Sequence, residues 1–359
     1  MKTGIIGLPQ VGKTSLFKIL TKAKLDERGH SREAHIGVAR VPDERLDKLS
    51  ALYSPKKTTY ASVEFVDVAA IGQEARKETA FLASLRQVDA LIHVLRAFEE
   101  ESIPHVGPID PLRDIRNVEF DLMVSDLTQI EKRLERVEKD LKKMRTSELE
   151  REHALLVRSK EALEKEQPLR ELEMPPEEKK LIKGFMFLSQ KPILYALNIG
   201  ESATLGADLE AAASRFKLDE VAHRPNAGAT AICGKVEAEL AEMDDDEAAE
   251  FLSSYGLGES GLARLIRKSY ELLGLISFFT AGDDECRAWT VPVGSKAPQA
   301  AGAIHTDLEH HFIRAETIRW DALLAAGSEA AARSKGTLRL EGKEYIVRDG
   351  DVLNIRHSG

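Results

Sequence analysis

Gly7-Leu8-Pro9-Gln10-Val11-Gly12-Lys13-Thr14 has the spacing G-x-x-x-x-G-K-[ST] of a phosphate-binding P-loop. Backbone N–H groups must turn inward around a phosphate, so glycines are needed where a side chain would block the approach. Lys13 can bring a point charge to the β/γ oxygens, and the Thr14 hydroxyl can ligate Mg²⁺. The flanks are in the required order. Lys2 to Ile6 is a short apolar strand, and Ser15-Leu16-Phe17-Lys18-Ile19-Leu20 has helical spacing. Residues 7 and 9–15 (Gly7, Pro9, Gln10, Val11, Gly12, Lys13, Thr14, Ser15) are therefore the expected phosphate contacts.

The composition limits what surrounds this loop. With 359 residues and 43% hydrophobic content, the chain is long enough for two or three domains with their own cores. No apolar run approaches membrane-spanning length, and the first residues carry no charged-then-apolar leader. Cys233 and Cys286 are the only cysteines, which excludes a disulfide framework and a Cys-rich zinc site. A reduced cytoplasm is the expected location. A net charge of −9 argues against non-specific nucleic-acid binding by the whole surface, while leaving room for a local basic face.

Downstream, apolar strands alternate with helical stretches. Ala34 to Val41, Ser62 to Asp67, Asp89 to Leu95, Ile193 to Asn198 and Ala229 to Cys233 read as strands, the third apolar enough to be buried on both faces. After a P-loop this order predicts an α/β fold with a doubly wound sheet. Residues 122–184 differ in texture. Leu127, Ile130, Leu134, Val137 and Leu141 recur at helical spacing among dense charges, and a second such stretch runs from Leu149 to Leu163. They predict an antiparallel helical hairpin inserted into the nucleotide domain, which would comprise residues 1–121 and 185–275. Residues 276–359 then read as a small α+β domain. Its predicted strands are Ile276 to Thr280, Arg287 to Val291, Tyr345 to Val347 and Val352 to Ile355, with a helix over Ala297 to His305.

Two further positions carry chemistry. Asp67 ends the strand after the P-loop unit, where an acid of a P-loop NTPase supports the Mg²⁺ shell; a helix cap is the plain alternative. Asn198-Ile199-Gly200-Glu201 follows a later strand, where GTPases of this architecture read guanine with Asn-Lys-x-Asp. Glu201 is one methylene longer than that Asp and lacks the stacking Lys, so guanine discrimination should fall steeply, while Asn198 can still bond adenine. Ile232-Cys233-Gly234-Lys235 occupies the place of the second base-contacting loop. Ordinary loop and cap chemistry is the alternative for Asn198 and Glu201.

The sequence resembles the Obg-related ATPase family of the YchF type over nearly its whole length. The resemblance is carried by residues 7–17, Val38 to Leu49, Asn198-Ile199-Gly200-Glu201, Lys235 to Leu240, and the C-terminal stretches Arg287-Ala288-Trp289-Thr290, Ala297 to Gly302, Ile304 to Asp307 and Tyr345 to Asp351. It implies an NTPase domain, a coiled-coil insertion and a TGS domain, ATP preferred over GTP with Mg²⁺, and association with ribosomes or ribosomal RNA; a monomer is the expected state. In this family a hydrophobic residue replaces the glutamine that orients the attacking water, and Ile71 stands there. His105, in Ile103-Pro104-His105-Val106, matches a histidine proposed for that task; a surface histidine is the alternative.

The chain also departs from the family pattern. Ala70 replaces the Gly of Asp-x-x-Gly, the following segment 71–77 is shorter, and Ser31-Arg32-Glu33-Ala34-His35 stands where a Thr precedes Ile-x-Pro-Asn. These changes touch γ-phosphate sensing more than nucleotide binding. Two functions follow as expectations: a slow ATPase switch coupled to the ribosome, or a catalytically impaired nucleotide-binding ribosome or RNA adaptor. A small-molecule kinase would leave the TGS-like tail unexplained.

Overall fold

The structure is a computed structural model that describes residues 1–22, 35–68, 79–103, 107–201 and 214–358. It divides into two compact units, Met1–Val38 with Glu64–Leu272, and Ala39–Val63 with Leu273–Gly359.

The first unit opens with β1 (Lys2–Ile6), the P-loop and α1 (Lys13–Thr21). The chain crosses to the second unit within β2 (His35–Arg40), passes through α2 (Glu44–Tyr53) and β3 (Lys57–Thr59), and returns within β4 (Ser62–Asp67). Then come α3 (Thr79–Arg86), β5 (Ala90–Ala97), α4 (Pro111–Lys143), α5 (Ser147–Glu164), α6 (Pro176–Ile182), β6 (Ile193–Ile199) and β7 (Ala227–Ile232). The sheet runs β2-β4-β1-β5-β6-β7, with β4, β1, β5, β6 and β7 joined in parallel. Every residue of β6 is buried, because helices must cover both faces of a parallel sheet. This is the α/β doubly wound sheet that the order of elements predicts.

The inserted hairpin starts earlier than the periodicity suggests. Asp110 caps α4 by accepting from the Arg113 N–H at 3.1 Å, with Pro111 in the first turn, so one 33-residue helix begins beside the sheet and continues outward. Ile115 and Leu122 belong to the sheet's core, and Ile130, Leu134 and Val137 pack against Leu155, Leu156 and Leu163 of α5. Asp126 anchors the base of the hairpin. Its buried carboxylate accepts from Leu188 N (2.9 Å), Ser189 N (2.7 Å) and Ser189 Oγ (2.8 Å), and Arg86 reaches it at 3.3 Å. The first unit closes with helices Gly234–Leu240, Asp245–Ser254 and Gly261–Leu272.

The second unit is a sheet of order β11-β10-β12-β8-β9-β3, formed by β8 (Leu275–Thr280), β9 (Glu285–Pro292), β10 (Phe312–Arg319), β11 (Arg339–Glu341) and β12 (Asp351–His357) with β3 at its edge. The helix Ala297–Ile304 packs its alanines under Phe312 and Ala315. Two details differ from the sequence reading. Tyr345-Ile346-Val347 forms only an isolated bridge, Lys296 to Ile346, because its backbone bonds the turn that enters Ala297–Ile304 rather than a strand. Residues 39–63 group with the C-terminal unit, whereas the sequence placed them in the nucleotide domain. β3 pairs in parallel with β9, Lys57 opposite Glu285, and Arg45 holds Asp349 at 2.5 Å. Among the described residues no helix is long and apolar enough to cross a membrane.

Candidate nucleotide site

Gly7 has φ +147, and a Cβ there would lie 2.5 Å from the Val94 carbonyl oxygen of β5, so the strand-to-loop turn needs glycine. Gly12 has φ +100, and a Cβ there would lie 2.6 Å from Asn198 Nδ2. Between them Gln10 adopts a left-handed φ of +62, a strained conformation for a residue with a side chain. No side chain caps α1, so its first-turn N–H groups remain available to an anion at the helix N-terminus.

Lys13 is buried, with Nζ donating to the Leu8 carbonyl at 2.6 Å across the loop. That bond holds the ammonium against the backbone of the loop. Thr14 and Ser15 are exposed in the first turn of α1. Asp67, at the end of β4, is 4% exposed and hydrogen-bonds the Thr14 hydroxyl. Burial raises its pKa above the usual carboxylate value, opposed by the Thr14 bond and by the charges of Lys13 and His35. Its Oδ1 is buried with no hydrogen-bond partner among the described residues. A buried carboxylate with an unsatisfied oxygen beside an exposed Thr hydroxyl fits a hydrated Mg²⁺, and the open helix N-terminus fits polyphosphate.

Asn198 closes the far side of the loop. Its Nδ2 donates to the Val11 carbonyl at 3.0 Å, and its Oδ1 accepts from the Gly234 N–H at 3.1 Å. Three segments that are distant in sequence are thereby held together: the P-loop, the end of β6 and the start of the helix Gly234–Leu240. Ile199 has its side chain in the sheet's core. Glu201 is exposed, as are Pro9 and Gln10 at the loop tip. The structure thus brings together Gly7, Val11, Gly12, Lys13, Thr14, Asp67, Asn198 and Gly234. His105, Ser31, Ala70 and Ile71 lie outside the described residues. Sequence reasoning missed the structural part of Asn198, the Val94 carbonyl and the charge of His35 on Asp67. An alternating strand pattern gives no signal that His35 faces an acid on β4.

This fold and this site define a P-loop nucleotide-binding protein, a class that usually works with Mg²⁺. Residues 2–160 match the family described as 50S ribosome-binding GTPase, and residues 275–358 match YchF-GTPase_C, a protein family of unknown function. The chain is 43% identical over 364 residues to the "Ribosome-binding ATPase YchF" of Bacillus subtilis (strain 168), covering 99% of each. It is 40% identical over 362 residues to the protein of the same name in Escherichia coli O157:H7, covering 99% of this chain and 98% of that one. The solved Schizosaccharomyces pombe YchF GTPase superimposes with a TM-score of 0.86 at 32% identity, covering 99% of this chain and 97% of that one. The chain belongs to the YchF family.

Proposed function

We propose that this protein is a cytoplasmic, monomeric, ribosome-associated switch that binds ATP in preference to GTP and hydrolyses it slowly. The observation that carries the nucleotide part is the Lys13–Thr14–Asp67 cluster beside an uncapped helix N-terminus. The ribosome part is supported by relatives whose names say that they bind ribosomes.

In this reading the backbone of residues 7–15 cradles the phosphates and Lys13 offsets charge on the β/γ oxygens. Thr14 and Asp67 would hold Mg²⁺, which neutralises phosphate charge when bound. Asn198 fixes the loop's curvature and offers its remaining polar capacity to the base. The preference for ATP rests on Ile199 and Glu201 standing where a guanine site has Lys and Asp. His105 is the candidate to orient the attacking water, since Ile71 has no group to do so. The second reading, a nucleotide-binding adaptor without turnover, is favoured by Ala70 in place of glycine.

Titration calorimetry of nucleotide-free protein with ATP and GTP, each with and without Mg²⁺, tests the base and metal assignments. Tighter GTP binding would overturn the ATP preference. Turnover equal in wild type and Lys13→Ala would leave only the adaptor. Ribosome pelleting that is identical with no nucleotide, ADP and a non-hydrolysable ATP analogue would remove the switch.

A further inference from the structure

The outer half of α4 sorts its charges. Its acidic and basic groups that face α5 are paired across the hairpin. Arg133 holds Glu152 through two bonds of 2.7 and 2.8 Å, and Glu131 takes Lys160 at 2.9 Å. Lys132, Arg136, Lys139 and Lys143 are treated differently. All four are exposed, and none has an ion-pair or hydrogen-bond partner among the described residues. They fall at i, i+4, i+7 and i+11, which places them on one face of the helix over about 16 Å, in steps of about 4.5–6 Å. Glu135 and Asp140 are the acids at the two margins of this stripe. On a chain with a net charge of −9, a row of four cations on one helix face, none in an ion pair among the described residues, is a local feature that composition alone hides.

A second feature adjoins the row. A cavity of about 580 Å³ opens between α4, α5 and residues 181–185, with Arg133 and Arg136 on its α4 wall and Glu148 and Glu152 on its α5 wall, Glu152 being the partner of Arg133. Leu149, Leu181 and Phe185 supply apolar lining, and Phe185 stacks on Phe187 at 5.1 Å between ring centroids, with planes 7° apart. The ring of Phe185 thus lines the same cavity as Arg136 while one face packs on Phe187. A row of cations suits a polyanion, and a ring-lined cleft beside it suits a polyanion that carries bases.

We infer that this face of the hairpin binds a single-stranded stretch of RNA. Phosphates lie along Lys132, Arg136, Lys139 and Lys143, and an unstacked base enters the cleft against Phe185. The inference rests on the ribosome-associated reading for the choice of RNA over other base-bearing polyanions. The geometry of the face is independent of the P-loop.

The test is fluorescence anisotropy of the full chain with a labelled single-stranded RNA and with an RNA duplex, across a salt series. The fourfold variant Lys132→Gln, Arg136→Gln, Lys139→Gln, Lys143→Gln keeps helix-forming side chains, and circular dichroism checks that the hairpin persists. It is expected to bind the single strand at least tenfold more weakly, and its log–log salt slope is expected to fall by roughly 3. Phe185→Leu is expected to weaken the single strand and leave the duplex unchanged.

A matched control, with Lys56, Lys57, Lys335 and Lys343 each changed to Gln, makes the same charge change in the second unit. Equal losses in both fourfold variants would show an effect of net charge alone and overturn the inference. So would an unchanged salt slope in the α4 variant, or wild-type protein that binds no single-stranded RNA. Ribosome pelleting and ATP titration on the same samples keep failure of the wider reading separate. Wild type and α4 variant that pellet equally, with equal RNA affinity, would mean that a ribosomal protein or another face makes the contact.

Discussion

The side-chain amide of Asn198 donates to the carbonyl of Val11 at 3.0 Å, so a residue at the end of β6 sets the curvature of a loop that precedes it by 187 positions. The same amide accepts from Gly234 N, and a Cβ on Gly12 would come within 2.6 Å of its Nδ2. Asn198 is therefore a strut before it is a base reader. Replacing it with Ala leaves the Val11 carbonyl and the Gly234 N–H without their partner. The expected cost is about 1–3 kcal/mol of stability together with weaker nucleotide binding. Asn198→Asp should be worse, because a carboxylate oxygen would face the Val11 carbonyl in place of a donor. Thermal melts and nucleotide titrations of the two variants check this; an Asp variant that binds as wild type would contradict the strut.

Asp67 is the next test. Burial raises its carboxyl pKa, so without a cation the folded protein favours the protonated form more than the unfolded chain does. The stabilising contribution of that shift is complete below the unfolded pKa of 3.8 and is lost as pH rises through the folded value. At neutral pH the group therefore costs stability until a cation meets it. Asp67→Asn is expected to melt higher than wild type without nucleotide at pH 7, and to lose the gain in affinity that Mg²⁺ gives. A lower melting temperature for Asp67→Asn under those conditions would refute the electrostatic account.

The contrast between these two residues shows what the sequence could reveal. The P-loop, Asp67 and the parallel strands are local patterns, since glycine spacing, a strand-end acid and unbroken apolar runs each follow from the chemistry of a few adjacent residues. The strut is not local, because nothing near Asn198 announces that both ends of its amide are taken by segments far away in the chain. Phe312–Arg319, the long strand β10, escaped the reading for another reason. Its Arg314, Glu316 and Arg319 interrupt the apolar pattern, yet Glu316 is tied down by Arg333 at 2.9 Å and Arg356 at 3.1 Å. Pairing across the sheet outweighed local propensity there. The placement of residues 39–63 was illegible for the same reason, since the register of β3 against β9 is a tertiary fact.

Asp126 offers a test of how the hairpin is joined to the sheet. The carboxylate is fully buried and takes two backbone N–H groups, a hydroxyl and Arg86, whose other nitrogen donates to Ser125 Oγ at 2.9 Å. Asp126→Ala orphans the Leu188 and Ser189 N–H groups and leaves a half-buried guanidinium without its counter-charge. The expected loss is about 3–5 kcal/mol, the range for breaking one side of a buried charged network. Asp126→Asn keeps one acceptor oxygen and should cost less. Urea unfolding followed by the Trp-independent far-UV signal measures both. A loss below about 1 kcal/mol for Asp126→Ala would mean that packing of α4, not this carboxylate, holds the hairpin base.

Glu237 gives the chain a pH dependence of its own. Its side chain, on the helix Gly234–Leu240, is 4% exposed, and its Oε1 accepts from Gly261 N at 2.7 Å at the start of the helix Gly261–Leu272. Burial pushes its pKa up to about 7, against the opposing pull of the Leu262 and Gly261 N–H bonds and of Arg264. The raised folded value means that the stabilising contribution is complete below the unfolded pKa of 4.5, falls as pH rises, and is gone above about 7. The full swing is on the order of 3 kcal/mol. Glu237→Gln keeps an oxygen for Gly261 N and cannot ionise, so its melting temperature is expected to fall less than that of wild type between pH 5 and 8. Melting curves of the pair at half-unit pH intervals, in the absence of nucleotide so that Asp67 titrates alike in both, isolate the difference. Parallel curves for the two proteins across that window would remove Glu237 as its source.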